Sequence, residues 1–134
     1  MRIFLDTNVL VAGFAARGLC ADVLRTVLAE HELITGEVVL GEVRDVLAQR
    51  IKLPPAVAAD IVALLRAQEV IPIPASRSDI PVRDPDDQWI LASAIAGHAD
   101  VLVTGDHDLL AIAERAPLTI LNPRGLWDRL RSGS

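Results

Sequence analysis

RIFLDTNVLV, residues 2–11, opens with an apolar run that ends at Asp6. A second stretch of the same kind is ADVLVTGDHDLL, residues 99–110, in which the run VLV precedes Asp106 by a short turn. Neither run alternates apolar and polar residues, and such continuous runs are typical of strands buried on both faces. The two stretches therefore predict strands of a parallel sheet, each followed by an acid at its carboxyl end.

Apolar runs of strand length alternate with helical patterns along the rest of the chain. The candidate strands are Arg2–Leu5, Glu32–Thr35, Val70–Ile73, Val101–Thr104 and Leu118–Leu121. The candidate helices are Cys20–Glu30, Gly36–Arg50, Pro55–Gln68 and Pro85–His98, with a short helix after Asp108 and a last one at Gly125–Arg131. This alternation favours right-handed βαβ crossovers. It predicts an α/β fold, a three-layer α/β/α sandwich with a central parallel sheet, in one domain spanning residues 1–134, with Pro72–Pro81 as a loop.

Composition excludes several classes of protein. The chain has 134 residues, 51% hydrophobic and 23% charged, which suits a globular domain that forms its core without disulfides. Its one cysteine, Cys20, has no partner in the chain, and the histidines His31, His98 and His107 lack the spacing of metal ligands. No signal sequence and no long uncharged stretch is present, so we expect a cytoplasmic protein with no membrane partner.

The net charge of −5 at first argues against a nucleic-acid partner, because phosphate binding usually requires a basic surface. However, arginine accounts for nearly all of the basic residues, and arginine suits bidentate contacts to phosphate. If four carboxylates form a metal site, bound divalent cations would offset most of the negative charge. The net negative charge therefore does not exclude RNA as a substrate, because bound divalent cations would offset most of it.

Asp6 and Asp106 are the first candidates for that site. Ligands of open parallel sheets bind at the carboxyl ends of the strands, where the strand order reverses. Neighbouring strands lie about 4.8 Å apart, so one cation would reach both acids if their strands pair. The alternative is that each aspartate only forms a turn, a common role after a strand. Adjacent threonines, Thr7 and Thr104, favour the site.

The segment RDPDDQWILASAIAGHAD, residues 83–100, offers three more aspartates at a helix start. Capping alone explains acids there, and we assign Asp84 to the N-cap, before Pro85. Helical periodicity separates the other two. Asp87 shares an apolar stripe with Ile90, Leu91, Ala94 and Ile95, so it is predicted to point toward the strand ends. Asp86 lies off this stripe and is assigned an auxiliary role.

Glu42 lies in the helical segment GEVVLGEVRDVLAQR, residues 36–50. It falls at the shoulder of a buried stripe formed by Val39, Val43, Val46 and Leu47. An ordinary surface glutamate explains this position equally well when Glu42 is taken alone. Its agreement with the three aspartates makes it the fourth candidate.

Together these motifs resemble the PIN domain family. DTNVLV, Glu42, DPDDQWILASA and ADVLVTGDHDLL occur in the family's order and spacing over residues 2–121. The nearest subgroup is the toxins of bacterial toxin–antitoxin pairs, related to VapC. The resemblance implies a PIN-like fold and assigns the family's four acids to Asp6, Glu42, Asp87 and Asp106. Auxiliary positions correspond to Thr7, Asn8, Asp86, Thr104 and Asp108.

Oxygen ligands without histidine or cysteine suit Mg²⁺ or Mn²⁺. We therefore expect a metal-dependent endoribonuclease in which these ions activate water for attack on an RNA phosphodiester. The resemblance also implies a cognate antitoxin protein and a homodimer. Two alternatives stay open, a non-catalytic binding module of the same fold and a housekeeping RNA-processing nuclease. A phosphatase of the haloacid-dehalogenase type is least favoured, because Asp6-Thr7-Asn8 lacks that family's second aspartate.

Overall fold

A computed structural model of the chain describes residues 1–132; the last two residues of the predicted 1–134 domain lie outside this range. Its centre is one sheet of five parallel strands in the order β3-β2-β1-β4-β5. The strands are β1 (Arg2–Leu5), β2 (Glu32–Gly36), β3 (Glu69–Ile71), β4 (Val101–Val103) and β5 (Thr119–Leu121). The predicted parallel sheet is confirmed, and each strand lies where a run of the sequence predicts it, with ends shifted by one or two residues.

Within residues 1–132, seven helices connect and cover the strands. They are α1 (Thr7–Ala15), α2 (Leu19–Glu30), α3 (Glu37–Gln49), α4 (Pro55–Arg66), α5 (Pro85–Ala96), α6 (His107–Ala111) and α7 (Pro123–Arg131). A short 3₁₀ turn, Ala113–Arg115, follows α6. Right-handed crossovers place α1–α4 on one face of the sheet and α5 and α6 on the other. Ser93 and Gly97 of α5 lie close to Gly36, Ile34 and Ile71, so α5 packs against β2 and β3.

The strand order reverses between β1, the central strand, and its neighbour β4. The chain winds outward from β1 through β2 to β3, then returns to β4 and winds outward in the opposite direction. β1 pairs with β4 in the register Ile3↔Val101, Phe4↔Leu102 and Leu5↔Val103. The condition set above, that the strands carrying Asp6 and Asp106 pair, is therefore met, and both acids lie at the switch point of the sheet.

Burial explains why these segments form strands. Ile3, Phe4 and Leu5 of β1 and all three residues of β4 are inaccessible to solvent. Side chains of consecutive strand residues face opposite sides, so this burial requires helices on both faces. One continuous apolar core joins both sides of the sheet. The predicted layer order, helices on either side of a central sheet, is confirmed.

Helix α1 is the main feature of the fold that the sequence does not predict. Residues 7–15, TNVLVAGFA, are rich in residues of low helix propensity, and their pattern predicts no helix. The structure places it in a helix because Asp6 caps its first turn and Val9, Leu10 and Val11 are buried. Burial thus outweighs local propensity here.

Two helix starts also differ from expectation. α6 begins at His107, with Asp106 as its N-cap, rather than after Asp108. α7 begins at Pro123, with Asn122 as N-cap, rather than at Gly125. In both cases a side-chain oxygen accepts a hydrogen bond from a backbone N–H of the first turn, which fixes the start.

Membrane-spanning potential is low in the part of the chain that the structure describes. No single helix is long and apolar enough to cross a bilayer. Helices α1 and α2 reach the required length and apolar composition only when taken together, and the chain bends by 99° between them.

Candidate metal centre

Asp6 is held in place at the end of β1. Its Oδ1 accepts a hydrogen bond of 2.7 Å from the Thr7 backbone N–H, and its Oδ2 accepts one of 2.7 Å from the Thr104 hydroxyl. The side chain is 4% exposed. Burial raises the pKa of Asp6; the bonds from Thr104 and Thr7 oppose this effect, and the charge of Asp106 adds to it.

Thr104 links Asp6 to Asp106. Besides donating to Asp6, its hydroxyl oxygen accepts a hydrogen bond of 3.0 Å from the Asp106 backbone N–H. Asp106 in turn caps α6, where its Oδ1 accepts bonds from the backbone N–H groups of Asp108 and Leu109. One buried hydroxyl therefore fixes the orientation of both acids at the switch point.

Asp87 enters the same region from the first turn of α5. It is 5% exposed, whereas its neighbours Asp84 and Asp86 are exposed, so the helical phase predicted for this segment is confirmed. Its Oδ2 is one of two buried side-chain polar atoms among the described residues that have no hydrogen-bond partner. Burial, followed by the charges of Asp106, Asp84, Asp6 and Asp108, raises the pKa of Asp87 to about 7.

The tightest acidic group consists of Asp87, Asp106 and Asp108. One carboxylate oxygen from each of the three lies within 4.8 Å of the others, a geometry that a single cation would bridge. Asp87 is buried and the other two are half-buried, so the group opens to solvent on one side. Asp6 is outside this group and acts on it through its charge, which contributes to the raised pKa of Asp87.

Glu42 approaches from α3 on the other side of Asp6. Its Oε2 accepts a hydrogen bond of 3.1 Å from the hydroxyl of Thr7, which is itself buried. Burial raises the pKa of Glu42, the bond from Thr7 opposes this, and the charges of Asp6, Asp86 and Asp84 raise it further. The structure thus brings all four predicted acids into one electrostatically coupled region.

The auxiliary residues divide into those that contact the acids and those that do not. Thr7 and Thr104 donate hydrogen bonds to Glu42 and Asp6. Asn8 is exposed on α1, and Asp86 is exposed on α5. Asp84 accepts a hydrogen bond of 3.0 Å from the Asp86 backbone N–H, so it is the N-cap as predicted.

Asp108 lies in the acidic group itself, although the sequence predicts only an auxiliary role for it. It follows Asp106 by two residues, and the resemblance to the PIN domain family marks it only as an additional acid. The missing signal was the start of α6 at His107, because a cap at Asp106 places Asp108 in the first helical turn beside Asp87. Trp89 of α5 lines a cavity with Glu42 and Asp86.

The donor set fits a hard divalent cation. All of the converging ligand atoms are carboxylate oxygens, which Mg²⁺ and Mn²⁺ prefer. A buried carboxylate oxygen without a donor, such as Asp87 Oδ2, is costly unless a cation or a proton neutralises it. The raised pKa of Asp87 expresses this cost, and a bound cation would remove it.

Solved structures of similar fold come from bacterial toxin–antitoxin systems. VapBC2 of Rickettsia felis, solved bound to a DNA fragment from its promoter, is 19% identical with a TM-score of 0.62, and the match covers 91% of this chain and 98% of that one. The sarcin-ricin-loop-cleaving toxin VapC20 of Mycobacterium tuberculosis is 20% identical with a TM-score of 0.60, covering 81% and 93%. VapBC-1 of nontypeable Haemophilus influenzae is 18% identical with a TM-score of 0.62, covering 92% and 99%.

At these identities the structures establish the fold alone. A comparison with curated protein sequences gives no match. The sequence pattern of the PIN domain, in contrast, matches residues 2–108, which include Asp6, Glu42, Asp87, Asp106 and Asp108. Since this match covers most of the chain, the protein belongs to the PIN domain family.

Proposed function

We propose that this chain is a divalent-metal-dependent endoribonuclease and the toxin of a toxin–antitoxin pair. One observation carries the proposal: the carboxylate of Asp87 is buried, has an oxygen without a hydrogen-bond donor, and lies within 4.8 Å of Asp106 and Asp108. Capping of α6 accounts for Asp106, but it does not account for the buried carboxylate of Asp87 beside Asp106 and Asp108. A cation that neutralises them does.

The residues divide the work as follows. Asp87, Asp106 and Asp108 would hold Mg²⁺ or Mn²⁺, and Asp6 and Glu42 would complete the site directly or through water. When bound, the cation lowers the pKa of water and neutralises charge on a phosphate. Thr104 and Thr7 keep Asp6 and Glu42 in fixed orientations, so their carboxylates need little reorganisation when a substrate arrives.

RNA is the proposed substrate on two grounds. The chain belongs to the PIN domain family, and a protein of the same fold is described as a toxin that cleaves the sarcin-ricin loop. The half-buried Asp106 and Asp108 leave the acidic group open on one side, so a phosphodiester has access to it. The net charge of −5 would otherwise repel RNA, so we expect the cation to be required for binding as well as for cleavage.

An antitoxin is the proposed protein partner. Several proteins of similar fold were solved as complexes of this kind, including VapBC-1 and FitAcB of Neisseria gonorrhoeae. An antitoxin that places an arginine or lysine among the acids would substitute for the charge of the cation. Co-purification with the product of the neighbouring gene tests this part of the proposal, and a chain that purifies alone from co-expressing cells would contradict it.

The nuclease itself is tested with purified protein and a panel of structured and single-stranded RNAs. Cleavage should require Mg²⁺ or Mn²⁺ and stop in EDTA. Asp87→Asn and Asp106→Asn should reduce it to background. Glu42→Gln should also reduce it, whereas Asp45→Asn, an exposed acid on the same helix, serves as the matched control and should retain it.

The possible failures separate the alternatives. Cleavage that persists in EDTA or in Asp87→Asn would overturn the metal-dependent mechanism. A lack of cleavage across the whole panel, together with binding of a protein partner, would favour a non-catalytic binding module. Cleavage of one cellular RNA without growth arrest on expression would instead favour a housekeeping nuclease.

A further inference from the structure

A small cavity opens beside the acidic site, on the side of Glu42. Its volume is about 240 Å³, and it is lined by Val38 and Glu42 of α3, Ile73 of the loop after β3, and Asp86 and Trp89 of α5. Glu42 belongs to both the cavity and the acidic site. A substrate whose phosphate lies at the acids would therefore have its adjacent groups at the mouth of this cavity.

The cavity combines apolar surfaces with acidic groups. Ile73 is 65% exposed, the highest value among the large hydrophobic residues that the structure describes, and it lies against the cavity instead of the core. Trp89 is half-buried and is absent from the side chains that pack around the apolar core. An indole and an isoleucine that line one small cavity offer surface for a flat ring, and bases stack on such aromatic surfaces.

Charge decides which part of a nucleic acid enters. Asp86 and Glu42 place two carboxylates on the cavity wall, so a phosphate is repelled and a neutral base is not. Carboxylates only accept hydrogen bonds, and Asp86 lies one helical turn from Trp89, on the same side of α5. The exocyclic amino groups of adenine, cytosine and guanine are donors that fit this arrangement, whereas uracil carries the acceptor O4 in the place of the amino group of cytosine.

We propose that Trp89, Ile73 and Asp86 form a subsite that binds one amino-bearing nucleobase next to the phosphate to be cleaved. The proposal rests on the nuclease function proposed above and adds a determinant of sequence preference to it. A helix or loop of a protein partner fits less well, because a volume of 240 Å³ admits a single ring system and Glu42 ties the cavity to the acids.

Neutral nucleosides test the subsite without cleavage. The chain has two tryptophans, and Trp127 packs against the core, so Trp127→Phe leaves Trp89 as the only indole. In EDTA, adenosine, cytidine and guanosine should quench its fluorescence saturably, with an apparent Kd about tenfold lower for cytidine than for uridine. Asp86→Asn should abolish this preference, since an amide also donates to uracil.

Cleavage kinetics provide the second readout. Trp89→Leu should raise KM for RNA by about tenfold or more, the loss expected for one stacked base, and leave kcat nearly unchanged. Trp89→Phe should lie between Trp89→Leu and wild type, and Trp127→Phe is the matched control with an unchanged KM. Graded recovery with phenylalanine distinguishes stacking from a general loss of structure.

The outcomes separate this proposal from the nuclease proposal. Quenching by nucleosides without any cleavage would leave the subsite in place and sink only the nuclease function. Metal-dependent cleavage with no quenching and an unchanged KM for Trp89→Leu would overturn the subsite alone. Shielding of Trp89 by a protein partner, with no response to any nucleoside, would assign the cavity to that partner and also overturn the subsite.

Discussion

Asp87 makes the folded chain sensitive to pH. Its pKa is raised from 3.8 to about 7, first by burial and then by neighbouring acids. A raised pKa means that the folded state binds the proton more tightly than the unfolded state does. Between these two values the folded state holds more protons, so stability falls as pH rises and is lowest above pH 7. Asp6 and Glu42, whose pKa values are also raised, act in the same direction.

We therefore predict that the metal-free protein is more stable at pH 5 than at pH 8. One group contributes at most about 1.4 kcal/mol per pH unit within its window. Urea unfolding in EDTA, followed by circular dichroism, measures the difference. Asp87→Asn should make stability depend less on pH. Addition of Mg²⁺ or Mn²⁺ at pH 8 should raise the stability of the wild-type protein. A wild-type midpoint that rises between pH 5 and pH 8 in EDTA would contradict the prediction.

Two buried threonines at strand ends have opposite roles. Thr104 and Thr35 are both fully buried, but Thr104 bonds to Asp6 and Asp106, whereas the Thr35 hydroxyl has no partner among the described residues. Thr104→Val should cost about 1–3 kcal/mol, because it leaves buried polar groups without partners. Thr35→Val should be neutral or stabilising, since it removes an unsatisfied hydroxyl. Equal losses in chemical unfolding would show that the bonds of Thr104 are not the cause.

At the scale of residues, periodicity is sufficient where a helix has a clear stripe. It separated Asp87 from Asp86, and the burial of the two side chains confirms the phase. It did not rank Asp108, because proximity to Asp87 depends on a helix start that only the folded chain fixes. The contact between Thr7 and Glu42 joins residues that are 35 positions apart, and no local pattern encodes it.

Among the elements, strands were easier to predict than the first helix. Both faces of the sheet are covered by helices, so its central strands are continuous apolar runs such as IFL and VLV, which are recognisable in the sequence. The segment of α1 has no recognisable helical pattern, since its threonine, valines and glycine favour other conformations. Its helix depends on the cap at Asp6 and on burial of Val9, Leu10 and Val11 against other elements.

The end of α5 is an element whose stability invites a test. His98 adopts φ 54°, its N–H bonds to the Ile95 carbonyl, and the Ala99 N–H bonds to the Ala94 carbonyl. This is a Schellman cap, in which glycine is normally preferred at the position of His98. Gly97, one residue earlier, has an ordinary φ of −81°, but a Cβ there would lie 2.9 Å from Ile71 Cγ1.

We predict opposite effects for two adjacent substitutions at this cap. His98→Gly should stabilise the fold by roughly 0.5–1 kcal/mol, because it relieves the left-handed backbone at a modest entropic cost. Gly97→Ala should destabilise it by about 1–3 kcal/mol through overpacking against Ile71. Gly41→Ala, in open space on α3, is the control and should stabilise. Thermal unfolding measures all three, and a stabilising Gly97→Ala would show that Ile71 moves aside freely.

For the whole molecule, alternation of strands and helices predicted the parallel sheet and its cover of helices. Right-handed crossovers leave few topologies open, but the pairing of β1 with β4 was only a condition at the level of the sequence, and the structure supplies it. What the alternation could not supply is the path of the loop after β3. That loop places Ile73 beside Trp89 and Glu42, and so creates the cavity next to the acids.

Some large apolar side chains lie on the surface of the molecule instead of in its core. The mean hydropathy is +0.38, and Val57 and Leu64 of α4 are 44% and 40% exposed. On the opposite side of α4, a groove of about 450 Å³ between α3 and α4 is lined mainly by alanines and Val62, with Arg44 and Arg66 among its lining residues. Apolar surface of this kind commonly marks a contact with another chain.

We predict that two copies of the chain associate through the side of α4 that carries Val57 and Leu64, most simply about a two-fold axis. Light scattering during size-exclusion chromatography should then give a mass of twice 14.4 kDa at micromolar concentration. Leu64→Glu should shift the mass to that of the monomer, because a charge placed in an apolar contact must be desolvated. Ala29→Glu, an exposed site on α2, is the control and should leave the dimer intact. A wild-type mass of 14.4 kDa would refute the dimer, and a dimer that survives Leu64→Glu with native circular dichroism would place the interface elsewhere.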